Sequence, residues 1–161
     1  MPLRWSDADA KRFMGTARTP GRVTKGTESG GFPCEEPVFL LLPYPPLNNR
    51  YYRHVGHRVL LSAEGRTYRQ LVAAIVQAEW PRHVRRPFTT LLVGTFTLHV
   101  PGLRHRPDGD AILKAPMDAL EHAGVYLNDN QLHDIHVYKR EPRPPLGCLE
   151  VLLEPYTEGP S

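Results

Sequence analysis

Apolar residues first gather at Val38-Phe39-Leu40-Leu41-Leu42, a compact run stopped by Pro43, and this reads as a buried strand. The segment Pro43-Tyr44-Pro45-Pro46-Leu47-Asn48-Asn49-Arg50 must then be irregular, because each proline lacks an amide donor and restricts its predecessor. From Ser62, a suitable N-cap, Tyr68, Leu71, Val72, Ile75 and Val76 recur at helical spacing. They predict a helix to about Trp80 with one face on a sheet, ended by Pro81. A basic turn, Arg82-His83-Val84-Arg85-Arg86, follows. Next, Leu92, Phe96, Leu98 and Val100 alternate with Val93, Thr95, Thr97 and His99, the pattern of a strand with one buried face. A second helix is expected from Asp110 to His122, closed by Gly124, with Pro116 kinking it or removing a bond to the carbonyl of Ile112. Strands near Leu132–Lys139 and Cys148–Glu154 are joined by Pro142-Arg143-Pro144-Pro145. The order β, α, β, α, β, β points to an α+β class, one domain with a mixed β-sheet packed by two main helices.

The first 36 residues break this pattern. They are rich in Gly, Thr, Arg, Lys and Pro and hold too few apolar residues to offset ordering entropy, so a flexible extension is expected over 1–36, with at most a short helix at Asp7–Met14. The folded domain is placed at 37–156, with a short tail at 157–161. At 161 residues, 40% hydrophobic and 23% charged, the chain can bury a real core. Its net charge of +3 suits an anionic partner. Most of the positive charge is arginine, which suits bidentate contact with phosphate. No stretch approaches the roughly 20 apolar residues of a membrane span, and no secretory signal is visible. Cytoplasmic residence is expected, with Cys34 and Cys148 as free thiols.

Against that basic background stands Arg106-Pro107-Asp108-Gly109-Asp110-Ala111-Ile112-Leu113-Lys114, answered by Asn128-Asp129. Carboxylates at such spacing repel, and a hard divalent ion such as Mg²⁺, which takes oxygen ligands, would reconcile them. Asp108 and Asp110 share a side only if the backbone there is extended. Lys114, four beyond Asp110, would lie over the first helical turn and could contact a phosphate. Ordinary readings remain: Asp110 as N-cap, Asp108 as turn residue, Lys114 as partner of Asp118, and Asn128-Asp129-Asn130 as a polar turn. An EF-hand does not fit, since Gly109 falls at the second position and Ala119 at the twelfth. Zinc does not fit either, because His133 and His136 would face opposite sides of a strand. The loop Asn48-Asn49-Arg50-Tyr51-Tyr52-Arg53-His54 mixes amides, arginines and tyrosines as a phosphate-tracking surface would, and Arg58, Arg66 and Arg69 extend it.

Two blocks of the sequence resemble the RusA-type Holliday junction resolvases. One is Leu42-Pro43-Tyr44-Pro45-Pro46-Leu47-Asn48-Asn49-Arg50-Tyr51-Tyr52-Arg53-His54 with Leu61-Ser62-Ala63-Glu64-Gly65-Arg66-Thr67-Tyr68-Arg69. The other is Arg106-Pro107-Asp108-Gly109-Asp110 with Lys114, Asp118-Ala119-Leu120 and Ala123-Gly124-Val125-Tyr126-Leu127-Asn128-Asp129-Asn130-Gln131. The likeness covers about residues 38–154. It implies a homodimeric, Mg²⁺-dependent endodeoxyribonuclease, with Mn²⁺ able to substitute and no organic cofactor, that resolves four-way DNA junctions by paired nicks. Asp108, Asp110 and Asp129 become its metal-binding carboxylates and Lys114 its catalytic lysine. Asn49, Arg50, Tyr52, Arg53, Arg66, Arg69, Arg104 and Arg106 become DNA contacts. Two neighbours depart from the family pattern: Ala111 stands where the family usually has Asn, and Asn128 where it often has Asp. They support a rival reading as a DNA-binding module weakened in catalysis. A hydrolase of small phosphoesters or single-stranded nucleic acid is the other alternative.

Overall fold

The computed structural model describes residues 36–80, 87–104 and 106–159. The expected leader, apart from its last residue, lies outside them, as do the helix at Asp7–Met14, Cys34 and the basic turn at 82–86. The elements run β1 (Val38–Pro43), a one-turn helix α1 (Asn48–Tyr51), β2 (Tyr52–Val55), β3 (Arg58–Leu61), α2 (Ala63–Glu79), β4 (Leu92–His99), α3 (Lys114–His122), β5 (Leu132–Arg140) and β6 (Cys148–Pro155). Short 3₁₀ turns at Asp110–Ile112 and Asp129–Gln131 lead into α3 and β5.

Four strands form one sheet in the order β1-β6-β4-β5, so the last strand in sequence lies between the first and the fourth. β6 is antiparallel to both neighbours, while β4 and β5 run parallel and need the crossover that α3 supplies. The sheet is mixed and the class α+β, as expected. Register lines up apolar side chains in rungs across it: Leu42, Leu149 and Leu98, then Leu40, Val151 and Phe96, all buried. Tyr68, Val72, Ile75 and Val76 of α2 and Ala115, Ala119 and Leu120 of α3 join these rungs in a single core. The α2 start is as the sequence predicts, with the Ser62 hydroxyl accepting from the Gly65 amide at 2.9 Å.

The structure departs from the sequence pattern in four places. β1 is not buried on both sides: Leu40 and Leu42 point into the core, while Phe39 is 45% exposed. As an edge strand it has only one covered face, and an edge tolerates Pro43. His99, expected on the polar face of β4, is buried, with Nδ1 2.9 Å from the Glu141 carbonyl. The second helix is not continuous from Asp110; it breaks at Leu113 into a 3₁₀ turn and α3. Pro116 therefore falls in the first turn of α3, where an amide donor has no intrahelical partner to lose. The helix ends as predicted, with Gly124 at φ +80° and the Val125 amide bonded to the Leu120 carbonyl at 3.0 Å. Finally, β2 and β3 form a hairpin absent from the expected order, turned at Gly56 with φ +59°.

Candidate functional site

The segment carrying Asp108 and Asp110 is wound, not extended. Gly109 has φ −60° and ψ −38°, and the Ala111 amide bonds the Asp108 carbonyl at 3.1 Å. Extended backbone therefore does not bring the two carboxylates to one side; they stand exposed on a turn. The turn lies over β5: a Cβ added at Gly109 would come 3.3 Å from the Val137 side chain. Glycine lets the backbone pass this close.

Asn48 holds the turn from the other side. Its side-chain amide donates to the Asp110 carbonyl at 2.9 Å, and its side-chain oxygen accepts the Lys114 amide at 3.2 Å. One residue of α1 thus fixes both the carboxylate turn and the start of α3. Its own position is set by neighbours. The Ser62 amide bonds the Tyr51 carbonyl at 2.9 Å. The Tyr51 hydroxyl donates to Asp118 Oδ2, which also accepts Arg69 Nη2 at 2.6 Å. Burial and the Asp118 carboxylate raise the Tyr51 hydroxyl well above its ordinary pKa, so it remains a donor. Asn48, Tyr51 and Asp118 were not singled out in the sequence as site residues, and Arg69 was expected to contact DNA but instead holds Asp118. The partners lie 49 to 67 positions away, and only the doubled asparagine beside stiff prolines hinted at a fixed loop.

Lys114 does not pair with Asp118, which Arg69 occupies. Its ammonium instead lies 3.3 Å from Asp129 Oδ2. Burial works against the charged lysine, but the hydrogen bond to Asp129 and the field of Tyr52, Asp129 and Asp118 outweigh it and raise the pKa above the ordinary lysine value. Asp129 opens the 3₁₀ turn before β5, and its backbone amide donates to Glu121 Oε2 at 3.2 Å. Asn128 is the cap of that turn. Its side chain accepts the Asn130 amide at 2.8 Å, and Gln131 reaches back to the Asn128 amide at 2.9 Å. The departure at Asn128 is therefore a capping choice that Asp would fill equally well.

The donor set of Asp108, Asp110 and Asp129 is all carboxylate oxygen, which in chemistry fits Mg²⁺ or Mn²⁺. Among the described residues no three His, Cys, Asp or Glu side chains converge on one point. The expected DNA contacts divide. Asn49, Arg50, Arg53, Arg104 and Arg106 are exposed, with Arg50 3.8 Å from Glu64. Tyr52 is half-buried, its ring edge-on to Tyr51. Arg66 is exposed and donates to the Leu61 carbonyl at 3.0 Å. Arg69 is turned inward to Asp118. Cys148 is a buried free thiol, its pKa pushed up by that burial.

A mixed-sheet α+β domain that sets exposed carboxylates and a charged lysine beside an arginine loop has the make-up of a phosphodiester-cutting enzyme. The chain belongs to the RusA family: the family profile described as Endodeoxyribonuclease RusA matches residues 43–146. It is similar to the crossover junction endodeoxyribonuclease of Enterobacteria phage 82, at 39% identity over 107 residues, 62% of this chain and 80% of that protein. The protein of the same name from Escherichia coli strain K12 is 42% identical over 101 residues, with the same shares covered. That of Shigella sonnei strain Ss046 is 41% identical over 101 residues, again 62% of this chain and 80% of the relative.

Proposed function

We propose that this protein is a Holliday junction resolvase, a structure-specific endodeoxyribonuclease that places paired nicks in four-way DNA during recombination and repair. The observation that carries the reading is the double hydrogen bond of Asn48, which ties the Asn49–Arg53 loop to the segment bearing Asp110 and Lys114. A phosphate backbone tracked by that loop is delivered beside the carboxylates. Asp108, Asp110 and Asp129 would hold Mg²⁺, or Mn²⁺ in its place. Such an ion, when bound, supplies Lewis-acid stabilisation of charge on the phosphate.

The chain's own residues do the rest. The Lys114 ammonium, moving from Asp129 to substrate, neutralises charge building on the scissile phosphate. Asn49, Arg50, Arg53, Arg104 and Arg106 contact phosphates and set the register of the DNA. Arg69 acts one step back, holding Asp118 against the Tyr51 hydroxyl at the end of α1. A homodimer would match the near two-fold symmetry of the junction. Acting on DNA, the enzyme would work in the cytoplasm; no helix among the described residues is long and apolar enough to cross a membrane.

The test is a synthetic four-way junction incubated with the protein and Mg²⁺. Symmetric nicks in opposing strands are expected, and Asp129→Asn should abolish them while leaving junction binding within a few-fold of wild type. Binding without nicks by the wild type would instead establish the DNA-binding module. Cleavage of single strands or small phosphoesters that excess junction does not suppress would establish the other hydrolase.

A further inference from the structure

The β2–β3 hairpin adds little to the core. Residues 53–60 are all exposed, and only Tyr52 and Leu61 at its root pack against the buried cluster. Cross-strand register pairs Arg53 with Leu60 and Val55 with Arg58, which places these four side chains on one face. Tyr52, Leu61, His54 and Val59 occupy the other. On the first face Val55 is 47% and Leu60 42% exposed, and Val59 behind them reaches 57%. A two-stranded hairpin is marginal by itself in water, and three exposed aliphatics on it invite association. Such a surface needs an occupant.

Charge limits what that occupant can be. Residues 52–61 contain Arg53 and Arg58 and no Asp or Glu. Each arginine stands directly across the hairpin from an aliphatic. A second copy docked on this face by two-fold symmetry would bring like charges together, which is costly. A polyanion with flat apolar surfaces matches both halves of the pattern. The place of the hairpin points the same way. Tyr52 directly follows α1, whose Asn48 grips the Asp110 carbonyl, and Tyr52 lies in the electrostatic field of Lys114. From Tyr52 to Val55 the strand rises about 10 Å, the length of about three nucleotide steps at about 3.4 Å each.

We infer that the Arg53–Val55–Arg58–Leu60 face is a wedge for the branch point of DNA. Val55 and Leu60 press on bases that have lost a stacking partner at the crossover, and Arg53 and Arg58 hold the phosphates on either side. Where strands exchange, stacking is already interrupted, so apolar side chains gain base contact without having to open a continuous stack. Duplex DNA offers no such opening. The hairpin would thus distinguish branched from linear substrate. This inference rests on the resolvase reading.

A junction carrying 2-aminopurine beside the branch point, mixed with full-length protein before any metal is added, reads the wedge directly. Wild-type protein should raise the fluorescence several-fold as the probe unstacks. Val55→Thr with Leu60→Thr places a β-branched side chain of high strand propensity at both positions, and so keeps the hairpin, while removing apolar contact. That double variant should lose at least half of the rise and bind the junction less than about five-fold more weakly, with an unchanged circular dichroism melt. Arg53→Ala with Arg58→Ala should weaken binding and lower the salt slope by about two. An undiminished fluorescence rise in the threonine variant overturns the wedge. So does conversion of a wild-type dimer to monomer by that variant in light scattering, which would make the face a contact between copies. If the threonine variant loses discrimination between junction and duplex while still nicking junctions, the wedge stands. If wild-type protein neither binds nor nicks junctions, the resolvase reading itself fails and the wedge with it.

Discussion

At the scale of single residues, Asn48 and Lys114 show how differently two site residues present themselves. Lys114 was legible because its neighbours in sequence are acidic and one of its acid partners, Asp129, opens the next polar turn. Its geometry was not: the break at Leu113 separates it from Asp110, so the helical i, i+4 relation never forms. Asn48 was invisible because hydrogen bonds spanning 62 and 66 positions leave no periodic trace. Asn48→Ala removes both bonds. The cost in stability should be about 1 kcal/mol, since the groups released can rebond to water. Misplacing the carboxylate turn should cost more in rate, a fall in kcat of up to about 10²-fold with junction affinity little changed. Equal losses in binding and turnover would remove Asn48 from that role.

The Lys114 charge makes a second prediction, in pH. A lysine whose folded pKa is raised contributes its interaction fully below the unfolded value near 10.4, and loses it only as pH rises through the higher folded value. With its side chain 46% exposed, the stability carried by the pair with Asp129 is screened and small. Its effect on cleavage is another matter. The ratio of Lys114→Met to wild-type activity should stay flat from about pH 6 to about 9.5, because the ammonium does not titrate there. A ratio that climbs with pH in that window would mean that Lys114 deprotonates within the working range.

At the scale of elements, long periodic segments were readable and short ones were not. Helix α2 was recoverable from its cap and its buried stripe, and β4 and β6 from alternation, because each has one face to bury. The hairpin escaped because its strands bury almost nothing, so hydrophobic pattern carries no signal there; the turn at Gly56 was the remaining clue. Helix α3 was placed correctly at its end, where Gly124 dictates the cap, and wrongly at its start, where the 3₁₀ turn imitates helical spacing. One close approach between elements governs the site. A Cβ at Gly65 in the first turn of α2 would sit 2.5 Å from the Tyr51 carbonyl oxygen. Alanine gains about 1 kcal/mol of helix propensity, but a clash with backbone costs about 1–3 kcal/mol. Gly65→Ala should therefore destabilise by up to about 2 kcal/mol in chemical denaturation. Since α1 is the part that must shift, cleavage should fall further than the stability loss explains. A stabilised and fully active variant would show that α1 yields freely.

At the scale of the whole molecule, the match to the family ends at residue 146, yet β6 beyond it lies between β1 and β4 and buries Leu149, Val151 and Leu153. The part that carries recognisable chemistry depends on a strand outside that match, whose alternating apolar positions fill the middle of the sheet. The same scale decides how many cuts are made. On the proposed reading one chain presents one set of Asp108, Asp110, Asp129 and Lys114, and a single set would nick one strand per encounter. Resolution needs two opposed nicks before the junction dissociates, which a two-fold dimer provides and a monomer does not. Mixed dimers of wild-type and Asp129→Asn chains, prepared with distinguishable tags, separate these cases on a junction held in a supercoiled circle. With one active site per subunit, the mixed dimer should release nicked circles, whereas the wild-type dimer should release linear product. Linear product from purified mixed dimers at the wild-type rate would mean that one active subunit makes both cuts, and the two-fold arrangement would lose its reason.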